Sequence, residues 1–482
     1  MTIVLIIILL LAFVLIGTSN VTRVNRAAIA MFAGAVGWVL YSCYATDFVL
    51  RSHQGDYITF LDGAVATPST VKHYIAQNVF IQYVGKAAEI VLFLIATMSI
   101  VEILDQNGCF DFVKEALRLY ESRKLLWVMT LITFVISANL DNLTTTTMML
   151  AIMHGIVPNR RQRIVFGCAI VVAANTGGAL TVIGDPLGLL LWTNGTVQAT
   201  DLSLALALPC IVACVLPVAW IGRQLPHHIR LQWAPLPFRG DDTRLSRWQR
   251  LLMLFVGIGG LWFIPTFQNI TKLSPFLGAL CVLAVLWVIN EAVNSRLMET
   301  GTLVGGGRRS ILRQLGTVNL ILLIVGLMLI VGAVKETGVL TIAARWIDSH
   351  TIPAMGLTTG TQGTTEAWVW VMGGLATVVG AVVDTFASGL TFFALYPTPA
   401  EIEIATGTVV DAQTGLFAQN GLYWKVVAYC SAMGGNILLV GSASGLALMR
   451  AERVHIGWYF KNVGWMSLVG CAVGMALLGI VG

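Results

Sequence analysis

Charge is what this chain lacks: Asp, Glu, Lys and Arg make up 11% of its 482 residues, against roughly a quarter in soluble domains. A surface facing water needs far more, which excludes a soluble enzyme. The formal net charge of +5 is too small to suggest a nucleic-acid partner. There is no CxxC pair, and no His stands at metal-ligand spacing from the cysteines. Cys43, Cys109, Cys168, Cys210, Cys214, Cys281, Cys430 and Cys471 lie mostly inside apolar stretches, where they are expected to be small buried hydrophobes. The first apolar run, residues 2–17, has no basic segment before it, and Arg23 and Arg26 follow it. It reads as a membrane helix with a cytoplasmic trailing end, not as a secretory signal. The segment Gly305-Gly-Gly-Arg-Arg309 lacks a GK[ST] ending and reads as a linker, not a phosphate loop.

Apolarity takes the place of charge, with 57% hydrophobic residues and a mean hydropathy of +0.81. Apolar runs of about 20 residues, the length that spans a bilayer core, recur along the chain. The expected fold is an all-α membrane protein with the lipid bilayer as its solvent. Lys and Arg then report orientation, because cytoplasmic loops collect them. Most of the 29 fall in six places. These are Arg23 with Arg26, then Lys114 to Lys124, Arg160 to Arg163, the arginines of 223–250, Arg296 to Arg313, and Arg450 with Arg453. The stretches 46–80, 193–201, 268–272 and 351–418 are almost free of them and form the expected outside face. Alternation puts both termini outside as well.

Two segments break that alternation. Residues 125–153 have basic clusters on both sides but are too short for two full spans, so a re-entrant hairpin from the cytoplasm is expected. Its polar middle, Ser137-Ala-Asn-Leu-Asp-Asn-Leu-Thr-Thr-Thr-Thr147, would then sit at depth. Residues 368–396 have flanks without Lys or Arg, which predicts a hairpin from outside. Each hairpin precedes an apolar segment interrupted by glycines, 164–192 and 421–449, expected to cross once as a broken helix. The expectation is about ten transmembrane helices plus two re-entrant hairpins. Residues 1–84 would form scaffold helices and an outside loop, and 85–222 a first repeat. After the basic loop 223–250 come central scaffold helices and a linker in 251–313, and then a second repeat in 314–482.

The repeat is visible in register. The helix from Glu89 matches the one from Asn319, and Gly108 then meets Gly338. Asp141 falls against Asp384, and GGALTVIGD from Gly177 against GGNILLVGS from Gly434. The order helix, hairpin, broken helix with opposite sidedness is the inverted-repeat plan of secondary transporters, which bind substrate and ions at helix breaks near the midplane. Backbone that leaves the helix in hydrocarbon must be satisfied by protein or water, so such breaks line a cavity.

Carboxylates inside a membrane are costly and usually functional. Asp141, Asp185 and Asp384 fall in the interrupted segments, among Asn139, Asn142, Thr144, Thr145, Asn175, Thr176, Thr181 and Asn436. This all-oxygen set suits a hard cation or a proton. A carboxylate gains little from holding both at once, so shared occupancy couples the two flows. The plainer reading is that the carboxylates only cap half-helices. Glu89, Glu102 and Asp105 precede the first hairpin, where a solvated role for the last two competes with a proton path. His227 and His228 are expected to be solvated. Asn194-Gly-Thr196 and Asn269-Ile-Thr271 match the glycosylation pattern by chance, and the 14 Trp are expected to be interfacial anchors.

The motifs SANLDNLTTTTMM from Ser137 and AANTGGALTVIGD from Ala173, with 252–291 and 428–449, resemble the NhaD-type sodium/proton antiporters of the ion-transporter superfamily. The resemblance implies a homodimer with a scaffold and a mobile transport domain, in a bacterial inner membrane. It implies export of sodium or lithium against proton entry, without a resident cofactor. Asp141, Asn142, Thr144, Thr145, Asn175 and Asp185 would be ion-site residues, with the cation at Asp141, Asn142 and Asp185. The chain departs from that pattern at Gly184-Asp-Pro-Leu-Gly188, where the family has GDVTTT and arsenite-type anion carriers have GDPPN. It departs again at Gly380-Ala-Val-Val-Asp-Thr385, in place of SAxVDN, and at Asn436, in place of serine. Three readings stay open: a cation/proton antiporter, an anion or organic-acid carrier, and a non-transporting membrane subunit. A buried Arg or Lys would favour the second, and none is expected in a break.

Overall fold

The computed structural model describes residues 2–44, 48–50, 53–63, 65–110, 112, 113, 117, 121–227, 246–298, 307–354, 362–406 and 415–481. His228, most of the basic loop 223–250, Lys114 and Arg118, and parts of the outside stretches 46–80 and 351–418 lie outside them. Eight described helices are long and apolar enough to cross a bilayer, from Arg26–Tyr44 to Ile456–Ile480. Two shorter apolar helices are Thr2–Gly17 and Trp368–Val382. The most apolar window of Arg160–Leu180 is 83% buried, whereas those of Trp248–Thr271 and Pro275–Val293 are only 22% buried. The last two are apolar because they face outward, with Trp262, Phe263, Trp287 and Val288 exposed. Such a surface is at home in lipid.

Each predicted interruption is a break between two helices. The first pair is Ser122–Ser137 and Asn142–Ile156, and the first broken helix is Arg160–Leu180 and Pro186–Thr193. The second pair is Gln362–Val382 and Thr385–Leu395. The second broken helix is Leu422–Ile437 and Ala443–Glu452, with a 3-10 turn at Leu439–Gly441. In every case the second half begins at a polar cap. Asp141, Asp185, Asp384 and Ser442 each accept from backbone N–H groups just ahead, which satisfies donors that hydrocarbon would leave orphaned.

Residues aligned between the two halves make matching contacts. Gly108 and Gly338 both have positive φ, +67° and +71°, as they end corresponding helices. A Cβ on Gly177 would lie 2.3 Å from the Phe134 carbonyl oxygen, and one on Gly434 2.5 Å from that of Thr377. Gly184 approaches the Ser137 carbonyl in the same way as Gly441 approaches that of Gly380, with virtual Cβ distances of 2.6 and 2.2 Å. These are equivalent residues in the alignment of Asp141 with Asp384 and of Gly177 with Gly434. Each broken helix therefore presses its glycines onto the preceding pair at matching points.

Hydrogen bonds fix how the broken helices run. At the start of the first, Arg160 Nη2 donates to the Glu452 carbonyl (2.7 Å) and Arg163 Nε to the Glu452 carboxylate (2.7 Å), beside His154. Glu452 is the end of the second. At the other end, Asn420 N donates to Thr196 O (2.8 Å) and Gln198 N to Asn420 Oδ1 (2.6 Å). The two run antiparallel. Near the outer arm ends of the second pair, the rings of Trp368 and Tyr396 meet at 5.2 Å.

Two expectations need correction. The segment read as a linker at 305–309 is helical from Gly307, where the helix Gly307–Glu336 begins; its first two glycines lie outside the described residues. Cys43 and Cys281 are exposed, while the other six cysteines are buried. Apolar runs predict membrane depth but not whether a side chain faces protein or lipid.

The end of Gly307–Glu336 is clamped at the face read as outside. His53 Nε2 lies 2.7 Å from Glu336 Oε2, and Tyr83 Oη donates to Glu336 Oε1 at 2.7 Å. The hydrogen bond to Glu336 holds the His53 ring above its ordinary pKa. The charged pair therefore stabilises fully below the unfolded value, and its contribution fades as pH rises through the raised one. His53→Asn is expected to lower the melting midpoint of detergent-solubilised protein near about pH 6 and hardly at about pH 9, by roughly 0.5–1 kcal/mol for a partly exposed pair. Equal losses at both pH values would show that the ring acts by packing alone.

Candidate ion-binding site

All four breaks border one small cavity, three of them with a carboxylate. It has a volume of about 20 Å³ and is lined by Asp141, Asn142, Asp185, Asp384 and Thr385, together with Pro186, Phe386 and Ala443. All three carboxylates are buried, with exposures of 4, 6 and 5%. Each sits at the N-terminus of a half-helix, where the positive end of the peptide dipoles favours a carboxylate. The sequence motifs at 137–147, 181–185 and 383–385 thus meet although they lie far apart in the chain.

The capping alternative and the binding alternative prove compatible. Asp141 accepts from Thr144 N (2.9 Å) and Thr144 Oγ1 (3.2 Å) through Oδ2, while Oδ1 is buried with no hydrogen-bond partner. Asp185 accepts from Leu187 N (3.3 Å) through Oδ1. Asp384 Oδ1 accepts from Phe386 N (2.9 Å) and Ala387 N (3.2 Å). Capping uses one oxygen of each carboxylate and leaves the other for a positively charged partner. Asn175 Nδ2 donates to Asn436 Oδ1 (2.9 Å) and Ser442 Oγ (3.0 Å), and its own Oδ1 is buried without a partner. Buried acceptors of this kind are few in folded proteins. The donor set is carboxylate, amide and hydroxyl oxygen, which fits a hard monovalent cation. Among the described residues, no three His, Cys, Asp or Glu could hold a metal ion together.

The other predicted residues divide. The Thr145 hydroxyl is buried and unpartnered. Thr176 spends its hydroxyl on Val172 O (2.7 Å) in its own helix, and Thr181 donates to the Ala138 carbonyl. Asn139 turns the other way, donating to Val135 O and accepting from the Trp262 indole. Glu89, Glu102 and Asp105 line neither this cavity nor the larger one beside it. Ser442 was not singled out by chemistry. Its signal was its place opposite Asp185 when GGALTVIGD is aligned with GGNILLVGS, and both residues cap the second half of a broken helix.

One expectation is overturned. No buried Arg or Lys was expected at a break, yet Arg26, one of the cytoplasmic markers, is 8% exposed and reaches the second break. Its Nη2 donates to Val440 O (2.9 Å), its Nε to Ser19 Oγ (2.7 Å), and Nη1 lies 3.9 Å from Asp384 Oδ2. A basic residue trailing an apolar run gives no sign of this; only the fold brings it beside Asp384. Arg26 and Asp384 also line a cavity of about 780 Å³ that includes Arg23 and Arg450, from the face read as cytoplasmic. Leu320, Leu323, Asp384 and Ala443 line both cavities.

An all-α, multi-pass fold with carboxylates gathered at helix breaks defines a membrane transporter. The chain belongs to the citrate transporter family (CitMHS), whose family model matches residues 1–418. It is 30% identical over 392 residues to sodium/proton antiporter 1 of Arabidopsis thaliana, covering 81% of this chain and 62% of that protein. It is 28% identical to sodium/proton antiporter 2 of the same plant, covering 81% of this chain and 84% of that one. To the Na(+)/H(+) antiporter NhaD of Vibrio parahaemolyticus it is 23% identical, over 79% and 87% of the two chains. These relatives bear out the likeness to NhaD-type antiporters read from the motifs.

The Asn175 bridge can be weighed directly. Asn175→Leu removes two side-chain bonds between the broken helices and strands Asn436 and Ser442, at an expected cost of about 2–4 kcal/mol. Thr176→Val removes a bond within its own helix and a weak contact with the Cys214 thiol, and should cost under about 1 kcal/mol. Melting of the two variants in detergent compares them, and equal losses would refute the bridge.

Proposed function

We propose that the protein is a secondary antiporter that exports sodium or lithium in exchange for protons. The observation that carries this is the meeting of Asp141, Asp185 and Asp384 at one ion-sized, oxygen-lined cavity. A carboxylate there holds a cation or a proton, and the exchange of one for the other couples the flows. Asp141, Asn142 and Asp185 would hold the cation, with Thr144, Thr145, Asn175 and Asn436 around them. Antiparallel broken helices and matched glycine contacts support an inverted repeat, with the two helix pairs as re-entrant hairpins and the site alternately open to each face. A homodimer in a bacterial inner membrane belongs to the same reading. Carriage of an organic acid would need a free buried cation, and Arg26 is engaged by Asp384. The names of the two Arabidopsis antiporters and of NhaD point the same way.

Everted vesicles with an imposed pH gradient test the reading. Sodium or lithium should dequench a pH-sensitive dye in the wild type, and Asp141→Asn should abolish the response. No response in wild type from neutral to alkaline pH would refute antiport, and full activity in the variant would refute the site.

A further inference from the structure

The two repeats share an architecture but treat their carboxylates differently. In the first, Asp141 Oδ1 is buried and unpartnered. At the equivalent place in the second, Asp384 Oδ2 faces a guanidinium. That guanidinium comes from the helix Arg26–Tyr44, which precedes both repeats. Its position is constrained on two sides, by the Ser19 hydroxyl and by the carbonyl of Val440 in the second break. A carbonyl freed at a helix break is what a membrane transporter offers a small cation, and here Arg26 takes it. Its Nη1 has no hydrogen-bond partner and is aimed at Asp384. The side chain is 8% exposed and borders the larger cavity.

We propose that Arg26 is a tethered cation, which occupies at Asp384 the position a second transported ion would take and so leaves exchange to Asp141 and Asp185. One departure in the second half fits this: Thr385 stands where the motif would carry asparagine beside the carboxylate, and the carboxylate there answers a guanidinium instead of a mobile ion. Gly380 has a separate cause, since a Cβ there would lie 2.6 Å from the Ser431 carbonyl oxygen. The pair stands where the larger cavity meets the smaller, since Asp384 lines both. An ion entering from the side of Arg23 and Arg450 meets a compensated pair before it meets the open carboxylates. Arg26 acts through Asp384 and is a positioning residue.

The proposal rests on the antiport reading, and direct binding separates the two. Labelled sodium is bound at equilibrium to purified protein in detergent, and antiport is followed in proteoliposomes. Asp384→Asn strands the guanidinium beside the site and should weaken sodium binding by about tenfold or more. Arg26→Gln frees a third carboxylate and should tighten binding while slowing turnover. The double variant removes both charges and should return to within about threefold of wild type, as should Arg26→Lys. A double variant as weak as Asp384→Asn would show that Asp384 is itself a ligand of the ion and would overturn the proposal; so would unchanged binding in Arg26→Gln. Melting midpoints establish that each variant is folded, and if Arg26→Gln is not, the comparison of Asp384→Asn with the double variant decides alone. Binding that follows this pattern without antiport would sink the transport reading and keep the tethered cation.

Discussion

Backbone that departs from the helix inside hydrocarbon has to be satisfied within the protein, at several kcal/mol for each group left bare. Four breaks in this chain meet that demand together. Each starts a new half-helix from a side chain that accepts its first N–H groups. Asn175 then links one broken helix to the other through Asn436 and Ser442, and Ser444 Oγ donates to Asn142 O to tie the second broken helix to the first pair. The breaks persist because each supplies what another lacks, and the place where they meet is necessarily polar. A site follows from the same requirement that keeps the fold intact.

Close backbone approach makes this meeting geometrically possible. Glycines at the crossing points admit carbonyls where any side chain would collide, and they do so at positions that align between the two halves of the sequence. A further crossing uses the same device: a Cβ on Gly326 would lie 2.4 Å from the Ala30 carbonyl carbon. That crossing holds Arg26–Tyr44 against Gly307–Glu336, and Arg26 is the first residue of the former. The helix that delivers the buried arginine is thus itself fixed by a glycine contact.

Much of the architecture was legible in the sequence. The polar run at 137–147, the paired glycine motifs and the carboxylates marked all four breaks, because only interrupted helices place such residues in apolar segments. The register read between the halves pairs Gly108 with Gly338, and both have positive φ. Side-chain direction at a break was not. Asn139 and Asp141 stand two residues apart, yet one turns toward Trp262 and the other lines the cavity; the turn decides, and composition does not encode it. Arg26 was missed because a rule that reads basic residues as cytoplasmic markers has no way to detect one drawn inward by a carboxylate more than three hundred positions away. The helix beginning at Gly307 was missed because three glycines beside two arginines carry no helical periodicity.

The account turns on whether Asp141 and Asp185 share a cation. An experimental structure determined at saturating sodium, compared with one in a sodium-free buffer, tests this most directly. The account predicts sodium-dependent density between the Asp141 and Asp185 carboxylates and none between Asp384 and Arg26. Density beside Asp384 with Arg26 displaced, or Asp141 and Asp185 lying apart with no ion at either, would contradict it.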